Sequence, residues 1–453
     1  MNTGILSPNT RMMPVSAEVS SENHLVIGGC DTVELASTWG TPLWVMDYAT
    51  IEASARALNS GLSSYPGAKA LYAGKAFMCL AMCKLIDKLG MGLDVVSEGE
   101  LYTALSAGVP QENIYLHGNN KSRAELELAI TRPGVTVIVD GFAELDLLLE
   151  LAREHRKQAE IMVRVTPGVE PDTHEYIKTG QSDSKFGIHL EQVGMFIEKV
   201  KAAPDLLNFR GLHAHIGSQS LDMQPYLKLV EILADTVQEL NEKHSVEVEK
   251  LNLGGGLGIA YTEEDTPIPL YDWSRALSEK VLSVFKEKSL KLPYLLVEPG
   301  RSVVGTSGVT LYRAGQTKEF SSGKVSVALD GGMADNPRPA TYNARYTAVL
   351  ANRMDEGNTD SNTDLVGRFC ESGDIIIRGA GVRARPGDLV SVYSTGAYNY
   401  SMSSNYNRTG RPACVLVKDG VAELILRRET LEDLIRQDLV PEWLEKESAS
   451  NSN

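Results

Sequence analysis

The 453-residue sequence predicts two domains of different class: an α/β domain closed as a TIM-like (β/α)8 barrel, and a second, all-β domain of sandwich or barrel type. Three observations carry this. Eight short apolar runs alternate with helical patterns through the first two-thirds of the chain. After Gly305, β-type runs follow one another without long helices. The length is too great for one ordinary domain, and a hydrophobic content of 43% supplies the material for two cores.

The barrel strands are predicted at 71–76, 92–97, 113–118, 135–140, 160–167, 209–217, 250–256 and 294–300. Each run is almost continuously apolar, as parallel strands buried on both faces require. Helical stretches such as "KSRAELELAI" and "YLKLVEILADTVQELNEKH" lie between them and supply the crossovers. A doubly wound open sheet would share this pattern, and periodicity alone does not separate the two. Beyond the barrel come "VTLYRAGQT", "KVSVALDGG", "DIIIRGAG", "GDLVSVYS", "RPACVLVKDG" and "VAELILRRE". The stretch 24–47 reads as strands and turns that join the same β domain, leaving the barrel as an insertion. The domains are therefore drawn at 1–47 (strands lent to the β domain), 48–305 (barrel), 306–445 (β domain) and 446–453 (a disordered tail). The long polar loop 168–189 is a candidate substrate loop or lid.

Composition narrows the function. A formal charge of −15 and a sequence pI near 5.1 argue against a nucleic-acid partner, which needs clustered Lys and Arg. No apolar run is long enough to span a membrane. The five cysteines are odd in number and scattered, so a reducing, cytoplasmic setting fits better than a disulfide framework. Cys79 and Cys83, four apart on a predicted helix, read as core thiols. The first 23 residues show no signal-peptide core, and a transit peptide would need more than the single Arg11.

In such a barrel, function gathers at the C-terminal strand ends. Those ends carry Lys75, Asp94, Ser97, His117, Asn119, Arg164, His213, His215, Gly217, Ser218, Gly254, Gly255, Gly256, Glu298, Gly300 and Arg301. "LGGGLG" after a strand lets backbone N–H groups close on a phosphate, a weak signal alone because glycine turns are common. Lys75 lies in the apolar frame "YAGKAF", where desolvation should lower its pKa and make it a nucleophile toward aldehydes. The bland alternative is a lysine that snorkels to solvent. Glu298 wants a cation, either Arg301 or a protonated pyridine nitrogen. Phosphate cradle, aldehyde-seeking lysine and carboxylate together point to pyridoxal 5′-phosphate. His213 and His215 share one face of the sixth strand, where an imidazole could stack on a cofactor ring. No third ligand stands at metal-site spacing, so no metal is expected.

"RFCESGD", Arg368 to Asp374, sets a thiol between charged residues at a turn, an unusual place for a core cysteine. Together with "YAGKAF", "GLDVVSEGEL", "SKFGI", "HAHIGSQ", "LNLGGGLGIAY", "VEPGR", "RPATYNARY" and "GAYNYSMSSNYN", it resembles the diaminopimelate decarboxylase family over residues 25 to 430. That resemblance implies a pyridoxal-phosphate enzyme that makes L-lysine and CO2 from meso-2,6-diaminopimelate at the end of lysine biosynthesis. It implies that Lys75 holds the cofactor covalently and that His215 stacks on its ring. Ser218, Gly254, Gly255, Gly256, Glu298, Gly300, Arg301 and Tyr398 would complete the cofactor contacts, with Glu298 on the ring nitrogen. Arg301, Arg338, Tyr342, Glu371 and Tyr398 would meet substrate, Glu371 reading the distal ammonium and the arginines the distal carboxylate. Cys370 would donate the proton, supplied by the partner subunit of a homodimer. Two positions depart from the family pattern: Phe77, where Asn is common, and Glu98, where Gly is common. Rival readings are a decarboxylase of ornithine, arginine or carboxynorspermidine, a non-catalytic regulatory homologue, and a single-barrel cofactor-storage protein.

Overall fold

The computed structural model describes residues 7–168, 184–356 and 362–444. Eight parallel strands form the barrel: Ala68–Ala73, Gly92–Val95, Ile114–Leu116, Thr136–Val139, Ala159–Thr166, Leu207–His213, Lys250–Asn252 and Tyr294–Val297. Each pairs with the next, and the last returns to the first through Leu295 opposite Ala68, so the sheet is closed rather than open. Leu71, Tyr115, Ile138, Met162 and Leu296 pack together as a buried cluster contributed by five of these strands. A closed barrel has no edge strand to protect and fills its own interior with side chains.

In the β domain, Gly308–Glu319 is the hub. It runs antiparallel to Val325–Leu329, to Leu389–Val392 and to Leu43–Asp47. Leu43–Asp47 also pairs in parallel with Ala413–Lys418. The N-terminal stretch thus lends a strand to the later sheet. The same stretch also contains a helix, Thr32–Trp39, where strands and turns were expected. The Asp31 carboxylate accepts the Val33 N–H at 2.7 Å and caps it, while Leu35 and Ala36 bury its inner face. That cap is a local signal hidden among β-branched neighbours.

Cys30, Cys79, Cys83 and Cys414 are buried and Cys370 is exposed; none forms a disulfide. Most of the loop expected over 168–189, and the tail expected over 446–453, lie outside the described residues. Among the described residues, no helix is long and apolar enough to cross a membrane.

Candidate active site

The first barrel strand ends at Ala73, three residues earlier than its apolar run suggested. Lys75 therefore stands on the 3-10 turn Gly74–Ala76 at the barrel mouth, not in the strand. Tyr72, Ala73, Gly74, Ala76 and Phe77 around it are buried, yet Lys75 is itself exposed. Burial pulls its pKa down, but Tyr398, Asp94 and Glu298 outweigh that, and the net displacement is upward. This reverses the expectation of a lowered lysine. The apolar frame was legible in the chain, whereas the groups that face it come from the neighbouring second and eighth strands and from the β domain.

Glu298 forms a buried floor. Its Oε1 accepts from Asn252 Nδ2 at 2.6 Å and lies 2.8 Å from His117 Nε2. Its Oε2 lies 3.0 Å from His213 Nε2. Burial would raise this carboxyl, but the two imidazoles hold it well below the usual range. Burial pushes His213 down to about 4, so at neutral pH it is uncharged and its Nε2–H donates a hydrogen bond to Glu298. Its Nδ1 is buried without a partner, consistent with that tautomer. Glu298 therefore does not pair with Arg301. The donor atoms of His117, His213 and Glu298 lie within 4.8 Å of one another, a grouping chain spacing had not revealed. His213 hydrogen-bonds the carboxylate, and His117 lies beside it at ion-pair distance.

His215 lies just past the sixth strand. Its Nδ1 accepts the Gly255 N–H at 3.2 Å, and burial holds its pKa well below the ordinary value. A neutral, flat ring results. The Gly254 N–H donates to Asn252 Oδ1 at 3.0 Å, so two of the three amides in the glycine turn are already engaged. Among the described residues the Gly256 N–H has no protein acceptor. The turn admits only glycine at its centre: a Cβ on Gly255 would meet the Glu298 carbonyl oxygen at 1.8 Å. Gly300, after the eighth strand, is packed against Ala73.

Arg301 and Arg338 are 8% and 7% exposed, and among the described residues neither has a carboxylate within 4 Å. Arg301 donates to Tyr261 Oη at 2.5 Å and to Ser218 Oγ at 3.0 Å, and its Nε has no partner. Arg338, on the short helix Arg338–Tyr342, donates to Tyr346 Oη at 2.6 Å and stacks 4.8 Å from the Tyr261 ring. Tyr261 lies between the two guanidiniums. Burial raises its phenol, but Arg301 and Arg338 more than reverse that and lower it. The Tyr398 ring lies 4.6 Å from Arg301, and its backbone N–H bonds Ala76 O at 2.8 Å. Tyr398 has φ of 63°, a left-handed conformation that costs a bulky residue energy and gathers at functional sites. Tyr342, on the same helix as Arg338, is exposed. Two buried positive charges without a counter-charge are expensive unless a ligand supplies the anions.

Cys370 and Glu371 are not in this group. Both are exposed, on a turn that packs against Tyr406 and Asn407.

Comparison with known proteins matches this architecture. The description "Pyridoxal-dependent decarboxylase, pyridoxal binding domain" fits residues 49–305. The diaminopimelate decarboxylase of Halalkalibacterium halodurans is 45% identical, covering 94% of this chain and 97% of that one. The corresponding Synechocystis enzyme is 43% identical over 97% and 95%. A crystal structure of the M. jannaschii diaminopimelate decarboxylase with L-lysine aligns at a TM-score of 0.87, with 35% identity, 97% of this chain and 100% of that one. The chain belongs to the diaminopimelate decarboxylase family.

The cofactor of this family is pyridoxal 5′-phosphate. The residues present fit it. Arg301 offers an orphaned, buried N–H, Glu298 is an ionised carboxylate in a buried floor, and Lys75 stands exposed on the turn after the first strand. Sequence reading missed Tyr261, Tyr346, Asn252 and Glu100. The Glu100 carboxylate accepts the Val96 N–H at 2.7 Å, and burial lifts its pKa to about 7. "GIAY" held Tyr261 within a quoted motif, but a tyrosine there signals nothing until the two arginines are seen around it. Glu98, the departure from the family pattern, opens the helix Glu98–Ser106 and is exposed. Phe77 is buried, edge-on to Tyr400 at 5.5 Å.

Proposed function

We propose that this chain is a carbon–carbon lyase that converts meso-2,6-diaminopimelate to L-lysine and CO2. The observation that carries the reading is the pair of buried, uncompensated guanidiniums on either side of Tyr261. One suits the phosphate of the cofactor. The other suits a second carboxylate on the substrate, which ornithine and arginine lack.

Bound pyridoxal phosphate supplies an electron sink for the bond that breaks to the leaving carboxylate. The protein does the rest. Lys75 would hold the cofactor through its Nζ. Glu298, kept ionised by His117 and His213, would hold a proton on the ring nitrogen. His215 would offer its neutral face to the ring. Ser218, the Gly254–Gly256 turn, Gly300, Arg301 and Tyr398 would receive the phosphate. Arg338 takes the distal carboxylate as a fork, with Tyr342 at the outer rim, and Glu371 pairs with the distal ammonium. Cys370 delivers a proton to Cα after CO2 departs, a task suited to a thiol.

Cys370 and Glu371 sit on an exposed turn apart from Lys75, which supports a homodimer whose partner subunit completes each site. The unpaired thiols support a reducing, cytoplasmic setting. The test is product analysis with meso-diaminopimelate, ornithine and arginine side by side. Lysine and CO2 from diaminopimelate alone support the reading; CO2 from ornithine with none from diaminopimelate refutes it.

A further inference from the structure

The loop 405–409 is built around the Cys370 turn. Asn407 Oδ1 accepts the Cys370 N–H at 3.2 Å. Tyr406 Oη donates to Glu371 Oε1 at 2.5 Å, and the Tyr406 ring lies 6.0 Å from that of Phe369. Asn407 and Arg408 are consecutive left-handed residues, with φ of 52° and 56°. Asparagine tolerates that conformation and arginine does so less well, so something outside the loop must hold it.

The holding contacts are visible at both ends. Asn405 Nδ2 donates to Thr409 O at 3.1 Å and to Glu429 Oε2 at 2.5 Å. Arg408 donates to Leu434 O at 2.7 Å and pairs with Asp438. The C-terminal segment around Leu431–Ile435 therefore braces the loop from behind, and the loop presents one side-chain oxygen to the backbone of Cys370. A strained conformation kept by its surroundings and aimed at a reactive residue is the pattern in which strain serves a function.

We propose that Asn407 is a positioning residue for the reaction: its left-handed backbone and its Oδ1 bond to the Cys370 N–H fix the direction in which the Cys370 thiol is presented. The inference rests on the assignment of Cys370 as proton donor and adds what aims it. Asn407 touches no reacting atom and acts only through the turn.

The test uses the holoenzyme and two readouts. Cys370 is the only exposed cysteine, so its iodoacetamide alkylation rate reports its presentation without depending on turnover. Asn407→Gly keeps the left-handed backbone and removes the acceptor; Asn407→Asp keeps the acceptor. Asn407→Gly should change the alkylation rate about five- to tenfold and lower kcat about as much with KM unchanged, the scale of one hydrogen bond. Asn407→Asp should restore both to within about twofold of wild type, because the acceptor remains. Unchanged alkylation in Asn407→Gly overturns the proposal, and so does changed alkylation with unchanged kcat. Cys370→Ser separates the two levels: undiminished lysine formation there removes the proton-donor assignment itself, and the inference with it.

Discussion

Arg338→Met separates the cost of a buried charge from its use. The side chain is 7% exposed, bonded to Tyr346 Oη and stacked near Tyr261 and Tyr346, with no carboxylate within 4 Å among the described residues. In the ligand-free protein the substitution forfeits one charged hydrogen bond and two ring contacts, together about 3 kcal/mol. It also removes the desolvation penalty of a buried cation, which is several kcal/mol. The two nearly cancel, so thermal stability should change by less than about 1 kcal/mol. Binding is not offset in this way. Breaking one partner of a buried, hydrogen-bonded charge pair costs about 2–5 kcal/mol, or roughly 30- to 4,000-fold in affinity. On the proposed reading the clamp would hold the end of diaminopimelate that does not react, so the loss should fall on KM with kcat little altered. Steady-state kinetics with meso-diaminopimelate and a thermal melt of the same preparation measure both. An unchanged KM, or a stability loss above about 3 kcal/mol, would refute the reasoning and make Arg338 a structural residue.

Glu100→Gln tests the half-buried carboxyl near Lys75. Its folded pKa of about 7 lies above the ordinary 4.5, so the folded state binds the proton more tightly and this group's contribution to stability declines as pH rises from 4.5 through 7. Denaturant melts should show the variant more stable than wild type by up to about 3 kcal/mol at pH 8 and equal to it at pH 4; a pH-independent difference would contradict the assignment. Gly255→Ala forces a Cβ against the Glu298 carbonyl oxygen at 1.8 Å, so it should cost about 2–4 kcal/mol and weaken cofactor retention, read by the melt and by cofactor absorbance after gel filtration. A variant with unaltered cofactor content would mean that the turn yields without disturbing the floor.

The barrel was legible because its strands are buried on both faces and read as continuous apolar runs, as at Thr136–Val139. Helix Thr32–Trp39 was not, because an Asp31 cap and three buried residues leave too short a helical period. Lys75, Glu298 and the glycine turn stood out because charge and glycine at strand ends are conspicuous. Their partners did not. Asn252, His117 and His213 meet around Glu298 only when the barrel closes, and Tyr261 gains meaning only between Arg301 and Arg338. The same closure explains the reversed lysine: an apolar frame can be read along the chain, but the acids facing Lys75 cannot.

The central claim is that Lys75 of one chain and Cys370 of another form one working site. Mixing Lys75→Ala and Cys370→Ala dimers, with subunit exchange checked on tagged chains, tests it directly. If the site is shared, each mixed dimer carries one intact site and one doubly deficient one, and random exchange of equal amounts should recover about a quarter of wild-type lysine formation. No recovery in fully exchanged dimers would contradict the account and return Cys370 to its own chain.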